Sequence, residues 1–126
     1  MAATQHAPRI LVVDDSAAVR KSISACLAAA PLCAQVDTAD NGAEGVKFVL
    51  QETYDCVICD LQMPILSGID FLRQVRARFN RLELPVLLLT SRSATSSKVE
   101  GFKNGASDFI TKPCERPSSS LAWRPT

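Results

Sequence analysis

The chain has 126 residues, 47% of them hydrophobic, and a formal net charge of +1. That length suits a single domain with its own buried core and does not fit a second. The near-neutral charge supplies no basic field for direct nucleic-acid contact, and no stretch approaches the roughly 20 apolar residues of a membrane span.

Residues 1–8 read as a polar, Ala-rich flexible leader in which His6 is solvated. Arg9 to Asp14 follows as a strand buried on both faces, because Ile-Leu-Val-Val is unbroken. Ser16 can cap the next helix, whose Val19, Ile23, Cys26, Leu27 and Ala30 recur at helical spacing until Pro31 ends it. Cys33 to Ala39 is a weaker strand centred on Val36. Asp40-Asn41-Gly42 then supplies a turn and a helix start, and Ala43, Val46, Val49 and Leu50 form that second helix's buried face.

Asp55 to Asp60 is the third strand, closed by Met63-Pro64, which forbids continuation as strand or helix. Ser67 or Gly68 starts a third helix that buries Ile69, Leu72, Val75 and Phe79 and leaves Arg73, Arg76 and Arg78 solvated. Leu84 to Thr90 is the most hydrophobic strand and belongs inside the sheet. Ala94 to Asn104 is a short helix carried by Val99 and Phe102, with Gly105 as its left-handed end. Asp108 to Lys112 is the last strand. Strand and helix alternate with short connections, which implies parallel strands joined by right-handed crossovers: a doubly wound, three-layer α/β sandwich.

Five cysteines, an odd number, with no apolar signal segment at the start, point to a reducing, cytoplasmic setting rather than a disulfide framework. Cys56 and Cys59 have the spacing of a redox or zinc pair. Residues three apart on a strand face opposite ways, however, and no second ligand pair accompanies them, so they read as small core residues.

In an open parallel sheet, ligands bind at the carboxyl edge of the strands. Four strands end there in polar residues, at Asp14-Asp15, Asp60, Thr90 and Lys112, placing three carboxylates, a hydroxyl and an ammonium around one point. Asp14, Asp15 and Asp60 would repel one another in a partly desolvated pocket. A hard divalent cation relieves that repulsion, and carboxylates with the Gln62 backbone carbonyl and waters suit magnesium or manganese rather than zinc. A phosphoryl group could then lie between the metal, Lys112 and Thr90, with Asp60 as the nucleophile that becomes an aspartyl phosphate.

In order, Val13-Asp14-Asp15-Ser16, Asp60-Leu61-Gln62-Met63-Pro64 with Ser67-Gly68, Leu89-Thr90-Ser91, Asn104-Gly105-Ala106 and Phe109-Ile110-Thr111-Lys112-Pro113 resemble the receiver domain of two-component response regulators. The resemblance runs from about Arg9 to Pro113. It implies a flavodoxin-like, five-stranded sheet of strand order 2-1-3-4-5. Asp60 matches the phospho-acceptor, Asp14 and Asp15 the magnesium-holding acids, and Gln62 the residue that lends the metal a backbone carbonyl. Thr90 matches the switch hydroxyl, Phe109 the switch aromatic, Lys112 the phosphate-pairing lysine and Pro113 the proline after it. Implied partners are a histidine kinase or phosphotransfer protein, a small phosphodonor, and a second copy of the chain. Gln62 and Arg92 match variable positions that influence how water reaches the phosphate, so Arg92 is expected to alter the lifetime of the phosphorylated state relative to alanine.

Other readings remain open. A receiver-like module that no longer uses phosphorylation would keep the same fold. A haloacid dehalogenase-type phosphotransferase also uses an Asp nucleophile but wants Asp-x-Asp after its first strand, whereas Asp14 and Asp15 are adjacent. A flavin mononucleotide carrier would find those acids repelling its phosphate.

Residues 114–126 depart from the pattern, because Glu115-Arg116-Pro117-Ser118-Ser119-Ser120 is a poor helix former where a fifth helix is expected. One nucleotide inserted after the Glu115 codon, with permissible codons, would yield an amphipathic helix. The tail from Arg116 is therefore expected to be an out-of-frame or added end, with the native protein continuing into an output domain. Taken as it stands, the final helix is missing or degenerate, and the sheet flank beside the last strand favours self-association.

Overall fold

The computed structural model describes residues 7–30, 32–61, 63, 65–90 and 100–111. Its elements are β1 (Arg9–Val13), α1 (Ala17–Ala28), β2 (Gln35–Ala39), α2 (Gly42–Gln51), β3 (Cys56–Asp60), α3 (Gly68–Arg76), β4 (Val86–Thr90) and β5 (Asp108–Thr111). Residues 100–103 are helical as well. All five strands are parallel, in the order β2-β1-β3-β4-β5, the flavodoxin-like topology expected. No helix among the described residues is long and apolar enough to cross a membrane.

Helices α1, α2 and α3 each start on a side-chain cap that satisfies an orphan amide. Ser16 Oγ accepts from the Val19 amide at 3.3 Å, Asn41 Oδ1 from the Glu44 amide at 2.9 Å, and Ser67 Oγ from the Asp70 amide at 3.2 Å. Gly68 is thus the first residue of α3 and Ser67 its cap. These starts bring three helices back over the sheet immediately after β1, β2 and β3, leaving the carboxyl edge to the connecting loops.

The two faces of the sheet follow strand alternation. Leu11, Val13, Val57, Cys59, Val86 and Leu88 pack with Val49 of α2 and with Phe71, Leu72 and Val75 of α3. Ile10, Val12, Ile58 and Leu89 pack on the other face with Ile23 and Leu27 of α1. Cys56 and Cys59 fall on opposite faces, which agrees with the reading of them as core residues. Phe71 and Leu72 are fully enclosed, and burial of each contributes about 1.5–3 kcal/mol.

Several local expectations give way to tertiary context. Helix α1 stops at Ala28, with Ala29 extended, before Pro31 is reached, and Ala30 is exposed. Strand β2 begins at Gln35 rather than Cys33, because Cys33 has a φ of 48°. In α2 Gly42, Gly45 and Val49 are buried and Val46 packs against the core as expected, while Ala43 and Leu50 are exposed. Gly45 lets this helix close on Phe71 of α3 and Val13 of β1, and Gly42 lies against Leu66, so the buried stripe runs through the glycines. Phe102 is 45% exposed, its ring meeting Phe109 edge-on at 4.8 Å between centroids.

Arg76 is the largest departure. Far from being solvated, its guanidinium donates to the carbonyls of Gly105 and Leu84 at 2.8 Å each, and of Phe79 and Asn80 at 3.2 and 3.3 Å. Burial holds its pKa below the ordinary arginine value, helped by the nearby charge of Arg81. Gly105, at φ 106°, turns the chain into β5 as the sequence suggested, and a Cβ there would collide with the Arg76 side chain.

Candidate functional site

Strand register assembles the site. Val13 pairs with Cys59, so the next residues, Asp14 and Asp60, end neighbouring strands at one level. Asp60 pairs with Leu89, which sets Thr90 one residue beyond it on β4. Thr90 in turn pairs with Thr111, the last residue described. One carboxylate oxygen from each of Asp14, Asp15 and Asp60 lies within 4.8 Å of the other two. Asp14, Asp60 and Thr90 are 0%, 6% and 2% exposed, whereas Asp15 is exposed.

The backbone around Asp14 is held on three sides. Its amide donates to the Ala39 carbonyl at 3.1 Å, its Oδ1 accepts from the Ser16 amide at 2.8 Å, and its carbonyl accepts from Arg20 Nη1 at 2.7 Å. Sequence reasoning missed Arg20. The available signal was its place six residues after Asp14, early enough in α1 for a long donor to reach back to the turn.

Beyond Asp60, the Gly68 amide closes the following loop on the Leu61 carbonyl at 2.8 Å. A Cβ on Gly68 would overlap the Asp60 carbonyl oxygen, so only glycine permits this closure. At the tip of the loop Ile65 has a φ of 72°, a left-handed backbone that costs an L-residue about 1–2 kcal/mol.

The acids are felt in the core beneath them. The Cys59 thiol donates to the Asp60 carbonyl at 3.3 Å. Its pKa is pushed well above the ordinary thiol value, first by complete burial and then by the charges of Asp60 and Asp14. With Cys59 enclosed on one face of the sheet and Cys56 on the other, the two thiols do not form a pair.

Three convergent carboxylates, two of them buried, form an all-oxygen donor set that fits a hard divalent cation and suits zinc poorly. Of the residues singled out from sequence, the structure unites Asp14, Asp15 and Asp60 and sets Thr90 at the adjacent strand end. Phe109 lies lower on β5, level with Leu88, half-buried against the core. Gln62, Arg92, Lys112 and Pro113 lie outside the described residues, as do most of the expected helix from Ala94 and the whole tail 114–126.

Residues 10–120 match the response regulator receiver domain family. The transcriptional regulatory protein DltR of Streptococcus agalactiae is 40% identical over 107 residues, covering 85% of this chain and 46% of that protein. This chain therefore spans less than half the length of that relative. Among solved structures, the chemotaxis response regulator CheY4 of Vibrio cholerae is similar with a TM-score of 0.80 and 30% identity, over 93% of this chain and 95% of that one. The receiver domain of a sensor histidine kinase from Pseudomonas aeruginosa PAO1, with magnesium coordinated in its active site cleft, gives 0.77 and 25% identity over 93% and 94%.

Proposed function

The chain belongs to the response regulator receiver domain family, and from that premise we propose that it is a phosphorylatable receiver whose acceptor is Asp60. The observation that carries this reading is the convergence of Asp14, Asp15 and Asp60 within 4.8 Å at the carboxyl edge of the sheet. In this reading residues 9–113 form the receiver, with 1–8 a leader and 114–126 an atypical tail.

An Asp60 carboxylate oxygen attacks the phosphorus of a phosphohistidine or of a small acyl phosphate. A P–O bond forms to Asp60, the donor's P–N or P–O bond breaks, and the leaving group departs with the electron pair. Asp14, Asp15 and Asp60, with the Gln62 carbonyl, would hold magnesium or manganese, which when bound supplies positive charge to the phosphoryl oxygens. Lys112 pairs with the anionic group and the Thr90 hydroxyl donates to it. Hydrolysis of the aspartyl phosphate, the chain's own dephosphorylation, ends the signal. New charge at Asp60 draws Thr90 toward it and lets Phe109 repack, biasing a two-state surface near β5 that an output or partner reads.

The physiological donor is a histidine kinase or phosphotransfer protein, and the site is cytoplasmic in this reading, without direct nucleic-acid or membrane contact. Self-association through the flank beside β5 is supported by Leu87 and Ile110, which are only partly buried. A chain that stays monomeric at high concentration in sedimentation would count against that part.

The decisive measurement is intact mass after acetyl phosphate and magnesium treatment. The wild-type chain is expected to gain one phosphoryl group and the Asp60→Asn chain none. Labelling of both, or of neither, would overturn the assignment.

A further inference from the structure

The turn from β1 into α1 carries the least enclosed acid of the site. Asp14 and Asp60 are buried, but Asp15 is exposed, so the aim of its carboxylate rests on its backbone rather than on packing. Peptide groups are planar, which leaves the φ and ψ of Asp15 as the only soft angles between the two planes that flank it. Both planes are tethered. On one side Arg20 Nη1 donates to the Asp14 carbonyl at 2.7 Å, and on the other the Ser16 amide donates to Asp14 Oδ1 at 2.8 Å. The Arg20 amide in turn donates to the Ser16 carbonyl at 3.0 Å, so one residue of α1 grips the chain both before and after Asp15.

Arg20 is half-buried along a polar cleft lined by Thr38, Asp40, Asn41 and Glu44. The acids of that cleft are engaged elsewhere, Asp40 by the Asn41 side-chain amide at 2.9 Å and Glu44 by Lys47 at 3.7 Å. The guanidinium bonds a carbonyl instead, and a charged donor makes that bond stronger than a neutral one would. Its effects on a bound cation oppose each other. The positive charge repels the ion, whereas the tether aims a ligand at it. Solvent and salt screen the charge of a half-exposed side chain, but loss of the tether releases the Asp15 backbone outright, so the second effect dominates.

Resting on the reading of Asp14, Asp15 and Asp60 as a cation site, we propose that Arg20 is a positioning residue for that site. It fixes the peptide between Asp14 and Asp15, keeps the exposed Asp15 carboxylate aimed at the other two, and so sets the affinity for a hard divalent cation. Removing a group that orients a metal ligand typically weakens affinity by roughly 10–100-fold. A tether that acts on the backbone of one ligand among three belongs at the lower end.

The test is a double-mutant cycle in which manganese(II) is titrated calorimetrically into wild type, Arg20→Ala, Asp15→Asn and the double variant. Its readout is a dissociation constant, independent of phosphoryl transfer. Alanine is the best helix former and Arg20 is only half-buried, so the variants are expected to fold. Arg20→Ala is expected to weaken manganese binding about 10-fold when Asp15 is present and less than 2-fold in the Asp15→Asn background, because the tether acts through Asp15. Unchanged or tighter binding by Arg20→Ala would overturn the proposal and leave only the charge effect. Equal losses in both backgrounds would overturn it too, because Arg20 would then act on the fold at large. A wild-type chain that takes up no manganese would instead remove the cation-site reading, and the proposal with it.

Discussion

The two edges of the sheet use the same residue types to opposite ends. At the amino edge, acids are matched to cations. Arg9 donates to Asp37 and Glu52 at 3.1 Å each and through its amide to Asp55 at 2.8 Å, Tyr54 donates to Asp37 at 2.6 Å, and the guanidinium lies 5.1 Å from the Tyr54 ring centre. Arg76 braces the same edge further along, binding carbonyls around the entries to β4 and β5. At the carboxyl edge, three acids are instead driven onto one another, two of them buried. Charge matched to charge tends to hold a fold together. Oxygen ligands converging in this way make a donor set that suits a hard divalent cation.

The largest test of the contrast is Asp60→Asn. It is expected to abolish phosphoryl incorporation and also to abolish the gain in stability that magnesium gives the wild-type chain. That gain should be about 1.4 kcal/mol when magnesium is tenfold above its dissociation constant, read from urea denaturation with and without the ion. A variant that magnesium still stabilises to the same degree would mean the acids do not act as one site.

Arg76→Ala attacks the other edge. Leaving the carbonyls of Gly105 and Leu84 without their donor should cost about 2–3 kcal/mol in urea denaturation. Phosphoryl incorporation by the folded fraction should be unchanged. A loss below about 0.5 kcal/mol would show the bonds to be incidental.

Alkaline pH gives a smaller and graded effect at the amino edge. Burial, and then the charge of Asp55, push the Cys56 thiol up to about 11 from 9.0. Tyr54 is raised above its ordinary 10.0 by burial and by its bond to Asp37. Both groups are held protonated by the fold, so their stabilisation is complete below the unfolded pKa and is lost as pH rises through the folded value. Stability should therefore be flat to about pH 9 and then fall. By pH 11 Cys56 alone accounts for about 2 kcal/mol. Cys56→Val should make the decline shallower, the Cys59 thiol supplying the remainder, and Tyr54→Phe should flatten its upper part above pH 10. A wild-type profile that stays level to pH 11 would contradict this.

Legibility from sequence tracked how local each determinant was. Ser16, Asn41 and the Ser67-Gly68 pair announce helix starts because a cap bonds amides two or three residues away. The unbroken runs of β1 and β4 announce buried strands for a similarly local reason. Leu50 and Ala43 face outward because Gly42 and Gly45, invisible to an apolar-spacing argument, take the close contacts with Leu66, Phe71 and Val13. Arg76 was misassigned because the carbonyls that draw it inward are supplied by residues up to 29 positions away. The acid site was legible in its members, since polar residues ending apolar strands mark one edge, but Arg20 was missed.

By itself, then, the sequence determined the alternation of strands and helices, the identity of the three acids and the hydroxyl, and the parallel sheet that gathers them, because hydrophobic period and strand-end polarity are written residue by residue. Only the tertiary structure decided that Val13 pairs with Cys59 and so levels Asp14 with Asp60, that Arg20 and Arg76 serve as backbone braces, and that Ile65, in the loop after Asp60, stands out in left-handed backbone. Register, close approach and backbone handedness depend on which distant atoms arrive together, and no spacing within one segment encodes them.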